Sequence, residues 1–282
     1  MWRLVINSQK MIKYFIPITL LLLTISYSHA DEETTADIIK IQSYFTERFP
    51  DVAFEDFSNG VYALDPIARQ NWEALEEFPP YEVNIDTGEA LWEQHADIYE
   101  QCFPSGPGVK HVYPLWNSTL ETVVTLAMAI NLCREEHELI AYDYMLEDIN
   151  NLLAFMAYQS RGKIIDIEIP NQQAKQAYLA GKKFYFTRRG QLNFACQHCH
   201  FDNAGKRLRS ESLGPALGQT TSWPTYRNKW GALGPIHRRY IGCNKQVRAQ
   251  PFAAQSIQYR NLEYFHTHMN NGLAINGPSV RR

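Results

Sequence analysis

The pentapeptide Cys196-Gln197-His198-Cys199-His200 constrains this chain more than any other stretch. A C-x-x-C-H pattern is typical of covalent attachment of a c-type haem, because two thiols three residues apart can each form a thioether to the same porphyrin. The adjacent His200 would then be the first axial ligand of the iron. The alternatives are a redox-active dithiol, which needs a βαβ context, and half of a zinc site, which needs a second ligand pair. No further C-x-x-C or H-x₃₋₅-H pair follows, so the sequence predicts one covalent haem c held by Cys196, Cys199 and His200.

The first thirty residues have the pattern of a secretory signal peptide. Lys10 and Lys13 precede an apolar run over 14–25, and the small residues Ser28 and Ala30 fit a cleavage site. An uncleaved membrane anchor is the alternative, but the run is short for a span of about twenty residues. We therefore expect a signal peptide over 1–30 and an exported, periplasmic protein with no membrane span after cleavage.

Charge and cysteine usage divide the remaining chain. Residues 181–282 contain 16 Lys and Arg against 3 Asp and Glu, whereas 1–180 contain 11 against 27. A basic C-terminal half favours an anionic ligand or an acidic partner there, although solvated faces are the alternative. Nucleic acid is not expected as a partner of an exported haem protein. Beyond the haem motif three cysteines remain, which leaves one pair and one odd thiol.

Similar residue patterns recur in the same order from Gly88 onward, as expected for an internal repeat. The first pass runs from Gly88 through Cys102 to Cys133, and the second from Gly181 through the haem motif to Cys243. If Cys102 takes the place of a haem cysteine and Cys133 that of Cys243, the two would lie across an empty haem site and could pair. Two separate buried thiols are the alternative.

This repeat predicts a mainly α-helical fold with two tandem cytochrome-c-like domains. The first, 88–175, would lack haem, and the second, 176–282, would bind it. Residues 31–87 have helical spacing over 35–49 and 66–77, and we expect this N-terminal extension to pack on the first domain.

Several residues that follow the motif in the sequence could be the sixth ligand of the iron. Met269 is the only methionine there, and His237, His266 and His268 could give bis-histidine ligation. The third possibility is Cys243, the unpaired cysteine. Met269 falls in an apparent helix, where a core or surface role is the simpler interpretation.

The surroundings of Cys243 distinguish it from the other candidates. Arg238, Arg239, Lys245 and Arg248 all fall within five residues of it. Nearby cations stabilise a thiolate over a thiol, and a thiolate is both a good iron ligand and a good nucleophile. This pattern favours a reactive cysteine over an incidental one.

Several segments together resemble the SoxA family, the cytochrome subunits of the periplasmic SoxAX complexes of sulfur oxidation. The resemblance covers about residues 88–282 and rests on the stretches 102–104, 131–134, 196–209, 223–230, 233–249 and 271–282. It implies that Cys196, Cys199 and His200 bind haem, that Cys243 is the distal iron ligand modified to a persulfide, and that Arg239 binds substrate. Because the first haem motif is missing, the chain resembles the single-haem type, with a Cys102–Cys133 disulfide at the vacant site.

The resemblance also implies a reaction and partners. Thiosulfate would be joined oxidatively to a cysteine of a SoxYZ-like carrier protein, which is the activity of an L-cysteine S-thiosulfotransferase working as a heterodimer with a small SoxX-like cytochrome c. Arg239, helped by Arg238 and Arg248, would hold the thiosulfate dianion against Cys243. The alternative is a non-catalytic periplasmic electron carrier with His/Met or bis-His ligation. The terminal Arg281-Arg282 pair is predicted to be a solvated tail.

Overall fold

The computed structural model describes residues 25–281. Its α-helices are α1 (Ile25–Arg48), α2 (Pro66–Glu76), α3 (Glu82–Glu93), α4 (Ala96–Cys102), α5 (Leu126–Glu136), α6 (Glu147–Tyr158), α7 (Gln172–Phe186), α8 (Cys196–His200), α9 (Ile236–Gln246) and α10 (Ile257–His268). Short 3₁₀ helices cover Phe54–Ala63 and Lys110–Val112. The predicted mainly α-helical class is confirmed. Most of the predicted signal peptide, 1–24, lies outside the described residues, and within 25–281 no helix is long and apolar enough to cross a membrane.

The strands are two or three residues long and form three small sheets. They are β1 (Leu115–Asn117), β2 (Thr122–Val124), β3 (Arg207–Leu208), β4 (Glu211–Ser212), β5 (Thr225–Arg227), β6 (Ala232–Gly234) and β7 (Ser279–Arg281). Two antiparallel hairpins are formed by β1–β2 and β3–β4, and the third sheet has the order β6-β5-β7. In that sheet β7 runs parallel to β5, which brings the C-terminal end of the described chain back to the middle of the second half.

Two helix pairs have the same close crossing, and a glycine permits each one. Helix α3 packs on α6 at Gly88, and α7 packs on α10 at Gly181. A Cβ atom at Gly88 would lie 2.0 Å from the carbonyl oxygen of Asn151, and at Gly181 it would lie 1.9 Å from that of Asn261. Any side chain would force the helices apart, which explains why glycine opens both passes of the sequence repeat.

The elements between these helix pairs recur with constant spacing. Each half contains a hairpin, a helix that starts directly after it, and a second helix, and each of these three elements starts at the same offset in sequence from its counterpart in the other half. The starts are Leu115 and Thr225 for β1 and β5, Leu126 and Ile236 for α5 and α9, and Glu147 and Ile257 for α6 and α10. The two halves therefore share a hairpin and two helices in the same order.

Each half has its own group of buried apolar side chains. In the first half these come from α3 to α6 and include Trp92, Tyr99, Ile130 and Leu152. There Cys102, at the end of α4, forms a disulfide with Cys133 of α5, the pair that the resemblance implied. In the second half the buried residues come chiefly from α7, α9 and α10.

The N-terminal extension packs largely on the second half, so the prediction that it packs on the first is wrong for α1. Ile41 and Phe45 of α1, with Phe57 after it, are buried in the same cluster as Tyr178 of α7 and Phe265 of α10. The reason is complementary charge as well as apolar area. The acidic α1 pairs with basic α7 through Asp37–Lys182 and Glu33–Lys175, which neutralises part of the excess positive charge in the C-terminal half.

Candidate functional site

The short helix α8 presents the two cysteines of the C-x-x-C-H motif together. It spans Cys196–His200 and starts after Ala195, whose backbone is extended. Residues three apart in a helix lie on the same side, so Cys196 and Cys199 point in the same direction. Both are free thiols and half-buried. Two reactive sulfurs side by side are what double thioether attachment requires.

His200 is held in a form that can bind a metal ion. Its Nδ1–H donates to the carbonyl oxygen of Gly214 at 2.8 Å, and the side chain of Gln219 also contacts this nitrogen. Nε2 is then the nitrogen that remains for a metal. Burial lowers the pKa of His200 to about 4, opposed by the Gly214 hydrogen bond and assisted by the charge of Arg239. The imidazole is therefore neutral at pH 7, as ligation requires.

A large cavity opens beside α8. Cys196 and His200 line it at one end, and Cys243 lines it too. Apolar and aromatic side chains form much of the wall: Phe184, Tyr185, Trp223, Ile236 and Leu262. Burial raises the pKa of Cys196 to about 12, and the next largest contribution comes from the charge of Cys243, so the two sulfurs share one buried space.

These residues fit a c-type haem. The apolar wall suits a porphyrin, and the thiol pair and neutral imidazole are the groups that hold one covalently and through iron. In addition, the hydroxyl group of Tyr185 is buried without a hydrogen-bond partner. Since a buried polar atom of this kind costs free energy unless it is paired, this cavity is built to contain a partly polar group.

Helix α9 places Cys243 and Arg239 on the same side. They are four residues apart, about one helical turn, and both line the cavity. Burial raises the pKa of Cys199, and the charge of Arg239 opposes this shift because the guanidinium lies near the haem motif. A cation and a free thiol thus face the same space as the motif.

The structure places Arg238 and Arg248, which were predicted to help Arg239 bind the substrate, outside this cavity. The guanidinium carbon of Arg238 lies 4.5 Å from the ring centre of Trp230, and Arg248 follows the end of α9 and is exposed. Neither lines the cavity. Both residues are near Cys243 in the sequence, but the helix turns Arg238 away from the face shared by Arg239 and Cys243.

Comparison with known proteins identifies the family of this chain. The L-cysteine S-thiosulfotransferase subunit SoxA of Allochromatium vinosum is 52% identical over 246 residues, which cover 86% of this chain and 88% of that protein. The chain belongs to the SoxA family. The subunit of the same name from Chlorobaculum tepidum is 46% identical, covering 88% of this chain and 87% of its own.

A family model and a solved structure extend the comparison. The model for the SoxA/TsdA cytochrome c domain matches residues 87–165, which lie in the half without the haem motif. The crystal structure of SoxXA from P. pantotrophus superposes with a TM-score of 0.68 at 29% identity, covering 76% of this chain and 84% of that one.

Three of the four alternative iron ligands lie elsewhere in this SoxA chain. Met269 is 1% exposed and belongs to the core of the second half. His237 accepts a hydrogen bond from the backbone N–H of Gln255 at 3.0 Å and lies 2.9 Å from the carboxylate of Glu263. His268 is buried against the ring of Tyr178. None of the three lines the cavity.

His266 does line the cavity, but both of its nitrogens are occupied. Nδ1 lies 2.9 Å from the hydroxyl of Tyr240, and Nε2 lies 2.8 Å from Oε1 of Gln219. Burial lowers the pKa of His266 to about 3, so it is neutral. Among the candidates for the sixth position, Cys243 is therefore the one that lines the cavity with its ligand atom uncommitted.

Two arginines that the sequence did not assign to the site also line the cavity. They are Arg227 at the end of β5 and Arg281 at the end of β7. The prediction that Arg281 belongs to a solvated tail is wrong, because strand pairing draws it into the protein; Arg282 lies outside the described residues. Both lie in stretches that carry the family resemblance, 223–230 and 271–282, but neither was assigned a role in the site from the sequence, since the pairing joins positions that are far apart in the sequence.

Proposed function

We propose that this chain is the haem c subunit of an L-cysteine S-thiosulfotransferase, with Cys243 as its reacting group. Membership of the SoxA family gives the activity. The observation that carries the assignment of residues is one cavity lined by Cys196 and His200 of the haem motif together with Cys243 and Arg239. Cys196 and Cys199 would hold the haem covalently, and His200 and Cys243 would ligate its iron. A haem held there supplies one-electron acceptor chemistry.

Arg239 is the group of this chain best placed to bind the substrate. Thiosulfate is a dianion, and a guanidinium offers paired donors to its sulfonate oxygens. Because Arg239 lies one helical turn before Cys243, an anion on it would bring its outer sulfur towards the Cys243 thiol. Binding by Arg239 would also offset the repulsion between the dianion and a thiolate.

The covalent step can be written on Cys243. Its thiolate forms a sulfur–sulfur bond with the outer sulfur of thiosulfate, giving a Cys243 thiosulfonate adduct, and the two electrons of this oxidation would pass to two equivalents of an oxidised c-type cytochrome. The cysteine thiolate of a SoxYZ-like carrier then attacks the same sulfur and displaces the Cys243 thiolate, which restores the enzyme. This is nucleophilic catalysis by an activated cysteine.

Two cytochrome-c-like domains would account for the repeated elements. The proposed bounds are 88–175 for a haem-less domain and 176–282 for the haem-binding one. The recurrence of elements at one constant offset in sequence supports this division, as does the match of a cytochrome c family model to 87–165. In the first domain the Cys102–Cys133 disulfide would take the part of the absent haem as a covalent link.

The partners follow from the same assignment. A small SoxX-like cytochrome c would complete a heterodimer, which the likeness to the SoxXA structure supports. The location would be the periplasm, with residues 1–30 removed as a signal peptide. The alternative of a plain electron carrier with His/Met ligation is not favoured, because Met269 lies in the core and away from the cavity.

Reconstitution tests the proposed function. The chain is made in a haem-attaching host with a SoxX-like cytochrome and a carrier, and thiosulfate-dependent cytochrome reduction is followed together with the mass of the carrier. Carrier thiosulfonate and reduced cytochrome should form in parallel, and Cys243→Ala should abolish both. Arg248→Gln is the matched control, since Arg248 is exposed and outside the cavity. Full turnover by Cys243→Ala would contradict the proposal.

A further inference from the structure

Arg227, Arg281 and Arg239, called here the arginine cluster, line the cavity from three elements, β5, β7 and α9. In the parallel pairing of β5 and β7, Arg227 and Arg281 are register partners. Register partners on neighbouring strands project from the same face of a sheet, so their side chains lie next to each other. Arg239 reaches the same cavity from α9.

Within residues 25–281, carboxylate partners of Arg239 and Arg281 are absent, and Arg227 is paired. The Arg227 side chain is 8% exposed, and its Nη2 lies 3.4 Å from a carboxylate oxygen of Glu211, whose own side chain is 47% exposed. Burial and the charge of Arg239 lower the pKa of Arg227 to about 10, so it is still a cation at pH 7. Half-buried cations that have no carboxylate partner among the described residues, as Arg239 and Arg281 are, favour a bound anion.

A glycine in the N-terminal extension makes room for one member of this cluster. A Cβ atom at Gly60 would lie 2.4 Å from Nη2 of Arg281. The same nitrogen donates to the carbonyl oxygen of Asn59 at 3.5 Å, and the guanidinium carbon lies 4.7 Å from the ring centre of Tyr62. Segment 59–62 therefore holds the Arg281 guanidinium in a fixed position at the cavity wall.

We propose that the arginine cluster is an oxyanion-binding site, with Arg227 and Arg281 as its paired donors. Two guanidinium groups side by side offer several N–H donors to the oxygens of one carboxylate or sulfonate. Two ligands of the proposed function carry an oxyanion of this kind. One is the sulfonate end of thiosulfate or a related sulfur oxyanion, and the other is a propionate carboxylate of the haem. The inference rests on the proposed function for both sources.

Substitutions of Arg281 and Arg227 test the site in the haem-loaded chain with its cytochrome partner. We use Arg281→Gln and Arg227→Gln, with Arg281→Lys as a variant that keeps the charge and Arg248→Gln as the control. Three readings are taken: the KM and kcat for thiosulfate, the reduction potential of the haem against pH, and the spectral change on titration with sulfite or thiosulfate. Haem content and melting temperature check that each variant is folded.

Each outcome decides the proposal. If a sulfur oxyanion is bound, the Gln variants raise KM and the apparent Kd for sulfite by about tenfold or more, the effect of losing one charge-assisted hydrogen bond, and leave the pH dependence of the potential unchanged. If a propionate is bound, they shift the potential and its pH dependence while KM stays constant. Arg281→Lys should fall between Gln and wild type, because it keeps the charge and loses the paired geometry. All three readings equal to those of Arg248→Gln would overturn the proposal.

The proposed function and the oxyanion-binding site can be refuted independently of each other. If the wild-type complex does not turn over thiosulfate, the proposed function is wrong. The potential and the sulfite titration still report on the arginine cluster in that case, because neither needs turnover.

Discussion

Cys133 and Cys243 occupy the same place in two equivalent helices: each is the eighth residue of its helix, counted from Leu126 in α5 and from Ile236 in α9. The first is joined to Cys102. The second is free and faces a cavity beside the haem motif. The same position of the repeated unit thus carries a structural cysteine in one half and the proposed reactive cysteine in the other.

Replacing Cys243 should change both the iron and the chemistry. Cys243→Ala removes the proposed ligand and nucleophile together, so we expect an altered haem absorption and electron paramagnetic resonance spectrum and no turnover. Met269→Leu is the control, because Met269 is buried in the core and a swap of similar volume costs less than about 1.5 kcal/mol. A ligand-field change in Met269→Leu alone would favour the electron carrier instead.

Arg239→Gln should weaken thiosulfate use without altering the iron. The expected rise in KM is about tenfold or more, from the loss of a charged donor to the anion, with a nearly unchanged haem spectrum. Arg238→Gln, on the same helix but stacked on Trp230, should leave the KM close to that of wild type. Equal kinetics for the two variants would remove the role assigned to Arg239.

The disulfide should stabilise the first half and leave the haem half untouched. Replacing Cys102 and Cys133 by serine opens a loop between residues 31 apart in sequence, which should lower the free energy of unfolding by about 3 kcal/mol. Denaturant unfolding measures this loss. The haem spectrum should not change, because neither cysteine lines the cavity, and an altered spectrum would contradict the separation of the two halves.

His268 should make the protein sensitive to acid. It is 5% exposed, its Nδ1 has no hydrogen-bond partner, and burial lowers its pKa to about 4, opposed by the charge of Asp37. The unfolded chain takes up the proton first, near pH 6.5. The stability is therefore complete above pH 6.5 and is lost as the pH falls towards 4, by up to about 3 kcal/mol.

Melting temperatures of wild type and His268→Gln between pH 7 and 4 measure this contribution. The variant should show a shallower decline, because the glutamine does not titrate. His200 and His266 are also buried and neutral, so some decline remains in both proteins. Parallel curves would show that His268 does not contribute.

Local patterns were enough to predict the helical class and the presentation of the motif. Helical spacing indicated α1 and α2, and the spacing of Cys196 and Cys199 places them on one face of α8. The repeat was visible because Gly88 and Gly181 each permit a helix crossing that no other residue would allow. In each of these cases the physical cause lies within a short stretch or recurs in both halves.

Long-range pairing could not be predicted in the same way. Arg281 reaches the cavity through its strand's parallel pairing with β5, and α1 lies against α7 through contacts between distant parts of the sequence, such as Asp37 with Lys182. Conversely, Arg238 and Arg248 are near Cys243 in sequence, but the helix turns the one away and ends before the other. The basic residues around Cys243 in the sequence therefore located the site, but they did not show which arginines line the cavity.

Mass spectrometry of the chain purified from a haem-attaching host, intact and after proteolysis, tests the central claim most directly. We expect one haem on the peptide containing Cys196 and Cys199, a Cys102–Cys133 disulfide peptide, and Cys243 carrying additional sulfur after incubation with thiosulfate and an electron acceptor. A chain without haem would contradict the proposed function and the haem site on which it depends. One haem together with an unmodified Cys243 that is alkylated freely after the same incubation would contradict the role of Cys243 as the reacting group.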